Sequence, residues 1–249
     1  MKKRWIALLL ILSLLCALAA CGGQGETEAT AETEAASIET TEAVIRIPIT
    51  SVPADLFGTC SDSLYTNSLL QLQLELPADW YFYGASRLAA LSGITLGEEE
   101  EATKEKFMIA MKANGISYDM VACGNDDHDT LSVCFEHPGH LYGQSMSEQA
   151  YAEMILQSFS ERLSGIDSGA AGAELCTFSL GSNEHPCLQF LSSENGNTLH
   201  KTMVFVQIDE YIAIISASSP YEGNDTSVLD RFSYYEVQTP EAEETPDEG

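Results

Sequence analysis

Cys134, His137 and His140 stand in a C-x-x-H-x-x-H run that could offer one metal a thiolate and two imidazoles. Asp126, Asp127 or His128 of the preceding polar turn could supply a fourth ligand. Against this, Cys134 lies in an apolar stretch where a buried thiol is ordinary, and Pro138-Gly139 reads as a turn in which exposed histidines are common. The ordinary reading is preferred, so no metal and no other cofactor is assigned. His185 and Cys187 suggest a thiol nucleophile, but residues two apart on a strand share a face and project in parallel, which disfavours a hydrogen-bonded dyad. Asp126-Asp127-His128-Asp129 lacks the Gly and terminal Glu of a calcium loop and reads as a solvated turn. With no G-x-S-x-G, S-x-x-K, H-E-x-x-H, phosphate-loop or dinucleotide pattern in the chain, no catalytic residue is assigned.

The chemistry at Cys21 is clearer. Lys2, Lys3 and Arg4 precede an apolar run from Trp5 to Ala20, which closes on Leu18-Ala19-Ala20-Cys21. A positive segment, an apolar core and small residues before a cysteine match a secretory signal whose cut site presents a thiol to a diacylglyceryl group. The run is shorter than the roughly 20 apolar residues that span a bilayer. Residues 1–20 are therefore read as a signal peptide and Cys21 as the lipid-attachment residue and mature N-terminus. Its acyl chains, worth roughly 0.8 kcal/mol per buried methylene, would place the protein at the cell membrane with membrane lipid as a partner. The domain then lies on the extracytoplasmic side.

The chain has 11 Lys and Arg against 38 Asp and Glu. Loss of residues 1–20 removes Lys2, Lys3 and Arg4, leaving eight bases against 38 acids and a net charge of -30. Nucleic acid is excluded as a natural partner, because no basic patch exists to neutralise phosphates. The acidity is read as keeping an exported domain soluble. Without Cys16 and the acylated Cys21, five cysteines remain: Cys60, Cys123, Cys134, Cys176 and Cys187. An odd count leaves at least one thiol unpaired, and mostly buried, inert thiols are expected.

The elements that would position these residues form one domain, residues 58–237. Residues 21–57 are read as the lipidated cysteine and a flexible acidic linker, and residues 238–249 as a disordered acidic tail; the composition of residues 22–45 and of the tail buries too little apolar surface to offset ordering entropy. Leu70, Leu72, Leu74 and Leu76 alternate with polar residues, predicting a half-buried strand. A helix is predicted from Glu98 to Asn114, acids first and lysines last, with Phe107 and Met111 inward. Strands are expected at 116–123 and 130–136. Ser145 with Glu148 predicts a capped long helix carrying Tyr151, Ile155 and Phe159. Four strands follow, at 174–180, 186–192, 199–208 and 211–218, then a short helix behind Asp225. The fold class is α+β: an antiparallel sheet of about six to seven strands packed by two or three helices.

Tyr65-Thr66-Asn67, the leucine strand, Leu76-Pro77-Ala78-Asp79-Trp80, the long helix, the four-strand meander and the closing helix together resemble the exported domains of bacterial lipoproteins with a PsbP-like fold. The resemblance spans most of residues 60–236. It implies an α+β sandwich of a kind that commonly serves binding or assembly without catalysis, and it carries no functional residue onto this chain. The function expected is a lipid-anchored, non-enzymatic binding or assembly module, its partner an unidentified protein or small ligand. Tyr142, Tyr221, Tyr234 and Tyr235 lie in or near loops and could line a recognition surface, but the preferred reading has them cover the edge of the core. The alternative, a metal-dependent or hydrolytic enzyme at the cell surface, requires a convergent polar cleft.

Overall fold

A computed structural model describes residues 45–124, 128–163, 172–194 and 197–235. Cys21, the signal, Asp126, Asp127 and the acidic tail lie outside the described residues. In chain order the elements are β1 (Thr59–Ser61), β2 (Leu64–Asn67), β3 (Leu72–Glu75), β4 (Trp80–Phe82), α1 (Ala85–Leu91), α2 (Lys104–Asn114), β5 (Ile116–Gly124) and β6 (Thr130–Glu136). After these come α3 (Pro138–Tyr142), α4 (Glu148–Leu163), β7 (Glu174–Leu180), β8 (Asn183–Glu194), β9 (Asn197–Ile208), β10 (Tyr211–Ser219), α5 (Asn224–Leu229) and β11 (Phe232–Tyr234).

The fold is α+β. A seven-stranded antiparallel sheet has the order β4-β5-β6-β10-β9-β8-β7, and a four-stranded sheet has the order β1-β2-β3-β11. The central strands are apolar on both faces because both faces are covered, and every residue of β10 is buried. Met120, Val133, Phe135, Ala213 and Ile215 meet Tyr65, Leu72, Leu74 and Phe232 of the smaller sheet. On the opposite face Met203, Phe205, Ile212 and Ile214 meet Tyr151, Ala152 and Ile155 of α4, while Val121, Cys123 and Cys134 pack with Leu88 of α1. The larger sheet is thus the middle of three layers.

Local chemistry moves several expected boundaries. Leu70 falls in a turn, with Gln71 left-handed at φ 53°, so the leucine strand begins at Leu72. The helix predicted from Glu98 starts at Lys104. The Glu100 carboxylate accepts the Gly97 N–H at 2.9 Å and pairs with Lys106 at 2.9 Å, which folds the acids into a turn ahead of the helix. At the other end Gly115 adopts φ 72° and donates its N–H to Met111, ending the helix as Asn114-Gly115 predicts. The long helix is capped by Ser147 rather than Ser145, its Oγ accepting the Ala150 N–H at 3.2 Å.

Residues 45–57, read from composition as part of the linker, lie against the domain. Ile49, Leu56 and Phe57 are buried, and Leu56 is wholly inaccessible, so residues 45–57 form a strap laid on the domain. Ile47 N–H donates to the Gly139 carbonyl at 2.9 Å, the Tyr211 hydroxyl to the Ser51 carbonyl at 3.1 Å, and the Asn67 amide to the Leu56 carbonyl at 2.9 Å. Apolar side chains inside an acidic, Thr-rich stretch account for this, since they repay ordering of the segment. Where the strap enters β1, a Cβ at Gly58 would stand 2.5 Å from the Thr66 carbonyl oxygen, so only glycine permits the approach.

The thiols also divide. Cys123 and Cys134 are buried as expected, Cys60 is exposed, and Cys176 and Cys187, directly paired across β7 and β8, form a disulfide.

Candidate functional site

Two acidic residues inside the apolar strands carry the most unusual environments in the molecule. Along β6, Leu131, Val133 and Phe135 face the smaller sheet, which leaves Ser132, Cys134 and Glu136 for the helical layer. Glu136 is fully buried between its cross-strand neighbours Ile116 and Ile212. The hydroxyls of Tyr151 in α4 and Tyr142 in α3 both donate to its Oε2, Tyr142 at 3.5 Å. Oε1 has no partner. Burial pushes the Glu136 carboxyl from the ordinary 4.5 up to about 7, and the two tyrosine hydrogen bonds pull against that push without cancelling it. The same burial, with the Glu136 charge next, pushes both phenols well above their usual range. Tyr151 packs on Tyr142 and on Phe205, ring centroids 6.1 and 5.6 Å apart, which anchors α4 over the site.

The turn after Glu136 closes the corner. His137 is buried; its N–H donates to the Gly115 carbonyl at 2.8 Å, and its Nδ1 accepts the His140 N–H at 3.0 Å, capping α3. Because Nδ1 accepts, the neutral ring carries its proton on Nε2, which lies 3.5 Å from Glu210. His140 Nδ1 lies 3.3 Å from the Ile47 carbonyl, so the turn also holds the strap.

The second acid, Asp119, sits where the β5–β6 register shifts between Tyr118 and Met120. This irregularity aims its carboxylate at the smaller sheet, where it accepts the Gly58 N–H at 2.8 Å, the Tyr65 hydroxyl at 2.6 Å and the Asn67 amide at 3.0 Å. Burial raises its pKa, while these three donors and the Lys104 charge oppose the rise. Cys60, exposed and cross-strand from Tyr65, has its thiol pushed up to about 12 by partial desolvation and by Asp119, which favours the protonated form.

The residues singled out from spacing are not brought together. Cys134 packs with Leu88, Tyr118 and Val121, and its thiol is pushed well above its usual range by burial. His137 caps a helix, and His140 meets the strap. Among the described residues no three His, Cys, Asp or Glu side chains are placed to hold a metal. His185 pairs with Glu148 at 3.1 Å, the carboxylate that also accepts the Gln207 N–H at 2.9 Å, and Cys187 is tied up in the disulfide. Of the four tyrosines, Tyr142 serves Glu136, Tyr221 and Tyr234 are more than half exposed, and Tyr235 lines a cleft of about 360 Å³ with Lys104, Thr66 and Ser68. A larger cleft of about 590 Å³ lies along residues 93–98. Neither cleft is lined by Glu136 or Asp119.

Glu136 and Asp119 escape a search by motif. Their one sequence signal is an acid inside an otherwise apolar strand, in Leu131 to Glu136 and in Ile116 to Val121.

No model of a known protein family matches the chain, and no curated protein matches it. Among solved structures the chain is similar to the cyanobacterial PsbP protein CyanoP of Synechocystis sp. PCC 6803, at 14% identity over 72% of this chain and 98% of that one, with a TM-score of 0.39. It is also similar to LpqN, involved in cell envelope biogenesis in Mycobacterium tuberculosis, at 11% identity over 71% of this chain and 87% of that one, with a TM-score of 0.35. These likenesses concern the fold and transfer no residue.

Proposed function

We propose that the protein is a lipid-anchored extracytoplasmic domain that works by binding or assembly rather than by turnover. The observation that carries the extracytoplasmic part is the Cys176–Cys187 disulfide, a bond that persists in oxidising compartments and is rare where thiols are kept reduced. It agrees with a signal ending at Cys21. The non-catalytic part is supported by how the reactive side chains are spent: Cys187 in the disulfide, His185 on Glu148, Asp119 on three donors, and Glu136 buried in the packing, with neither acid lining a cleft.

The test is Cys21→Ser. Wild-type protein should partition into detergent and yield a diacylglyceryl-cysteine N-terminal peptide by mass spectrometry. The variant should lose that peptide and be either an uncleaved precursor or a shed, soluble chain. Wild-type protein in the aqueous phase with Met1 intact would refute the anchor. Turnover of a hydrolase substrate that disappears on changing one side chain would refute the binding reading.

A further inference from the structure

The turn that closes over Glu136 is also the turn that fastens the strap. His137 follows Glu136 directly, Gly139 accepts the Ile47 N–H, and Tyr142 at the far end of α3 returns to the Glu136 carboxyl. A Cβ at Gly139 would lie 3.1 Å from the Ile47 side chain, so strap and turn are in close contact. We propose that Glu136 is a protonation switch: as a neutral acid it lets α3, the first half of α4 and the strap close on the sheet, and as a carboxylate it loosens all three together.

The geometry supplies the reason. The carboxyl is cut off from water and its strand neighbours are isoleucines; among the described residues one oxygen lacks a partner and no cation stands within ion-pair distance. A buried carboxylate without a counter-charge gains most by admitting water. The groups covering it are Tyr142 and Tyr151, so water reaches it when α3 and α4 lift, and the strap, held by α3, is released with them.

Among the described residues the titratable groups facing this corner are as follows. Tyr142 and His140 come from α3, Tyr151 and the Glu148–His185 pair from α4 and β8, Cys134 and His137 from β6 and its end, Tyr118 from β5, and Glu210 and Tyr211 from the β9–β10 turn. Burial holds Tyr118, Tyr142, Tyr151 and Cys134 protonated through the neutral range. His137, His140, His185, Glu148, Glu210 and Tyr211 are the other groups at this corner, and the experiment must separate Glu136 from them.

Hydrogen exchange on the full chain does so, read between about pH 5.5 and about pH 8.5 and corrected for intrinsic rates. With the carboxyl near 7 when closed and near 4.5 when open, protection of residues 45–50 and 148–156 should fall about thirtyfold across this range. Amides of the β9–β10 hairpin, which open only on global unfolding, should stay better protected than these at every pH. Glu136→Gln retains all three histidines and should remove the fall. Tyr142→Phe leaves the carboxylate one donor fewer and should move the fall to higher pH. Protection in the wild type that does not change with pH, a fall that persists in Glu136→Gln, or a fall unmoved in Tyr142→Phe would each overturn the proposal.

Discussion

Asp119 and Glu136 are both carboxylic acids placed in apolar strands next to tyrosines, yet the fold treats them in opposite ways. Asp119 sits at a register shift that gives it three donors on two oxygens, with Lys104 nearby. Glu136 ends β6, where both tyrosines reach the same oxygen and the other has no partner among the described residues. Burial alone therefore does not define a carboxylate's role; the number of donors that follow it inward does. Asp119 is a structural clasp joining strap, smaller sheet and β5. Glu136 is a group whose charge state the surrounding structure leaves adjustable near neutrality.

The largest effect should come from breaking the satisfied clasp. Asp119→Ala strands the Gly58 N–H, the Tyr65 hydroxyl and the Asn67 amide, two of them on residues that are wholly buried, and should cost about 3 kcal/mol in urea denaturation. A loss below about 1 kcal/mol would remove the distinction drawn here.

Next comes Glu136→Gln, whose sign depends on pH. The native carboxyl is raised to about 7 from 4.5, so it is neutral in the folded state and ionised in the unfolded state between those values. Its contribution to stability is present in full below about 4.5 and is lost as pH rises to about 7, a swing of about 3 kcal/mol. Glu136→Gln should abolish that slope and be more stable than wild type at about pH 8. A parallel pair of stability profiles would contradict this.

Replacing Cys176 and Cys187 together by alanine serves as a control remote from both acids. The bridge spans 11 residues, and its loss should cost about 2–3 kcal/mol with the pH profile unchanged. Tyr142→Phe should cost least, under about 1 kcal/mol in thermal unfolding, because its hydrogen bond to Glu136 is 3.5 Å long.

Much of this architecture is legible from periodicity. The alternating leucines, the apolar runs of β9 and β10 and the helical spacing of Tyr151, Ile155 and Phe159 each have one low-energy placement, and the antiparallel α+β sheet follows from them. The strap was hidden because Ile49 and Leu56 are spaced too irregularly to show a period. The start of α2 was misplaced because a local carboxylate–amide bond at Gly97 and Glu100 competes with helix formation. The disulfide could not be read from an odd cysteine count without knowing that β7 and β8 put Cys176 opposite Cys187. The environment of Glu136 depends on contacts 6 and 15 residues away, made only once α3 and α4 have packed.

The most direct test of the difference between the two acids is a carbon-13 NMR titration of the Glu136 side-chain carboxyl in the folded protein, assigned by comparison with Glu136→Gln. A midpoint at about pH 7 is predicted, well above the ordinary 4.5 of a glutamate. A midpoint near or below 4.5 would show that the two tyrosine hydrogen bonds cancel the effect of burial and would contradict the account.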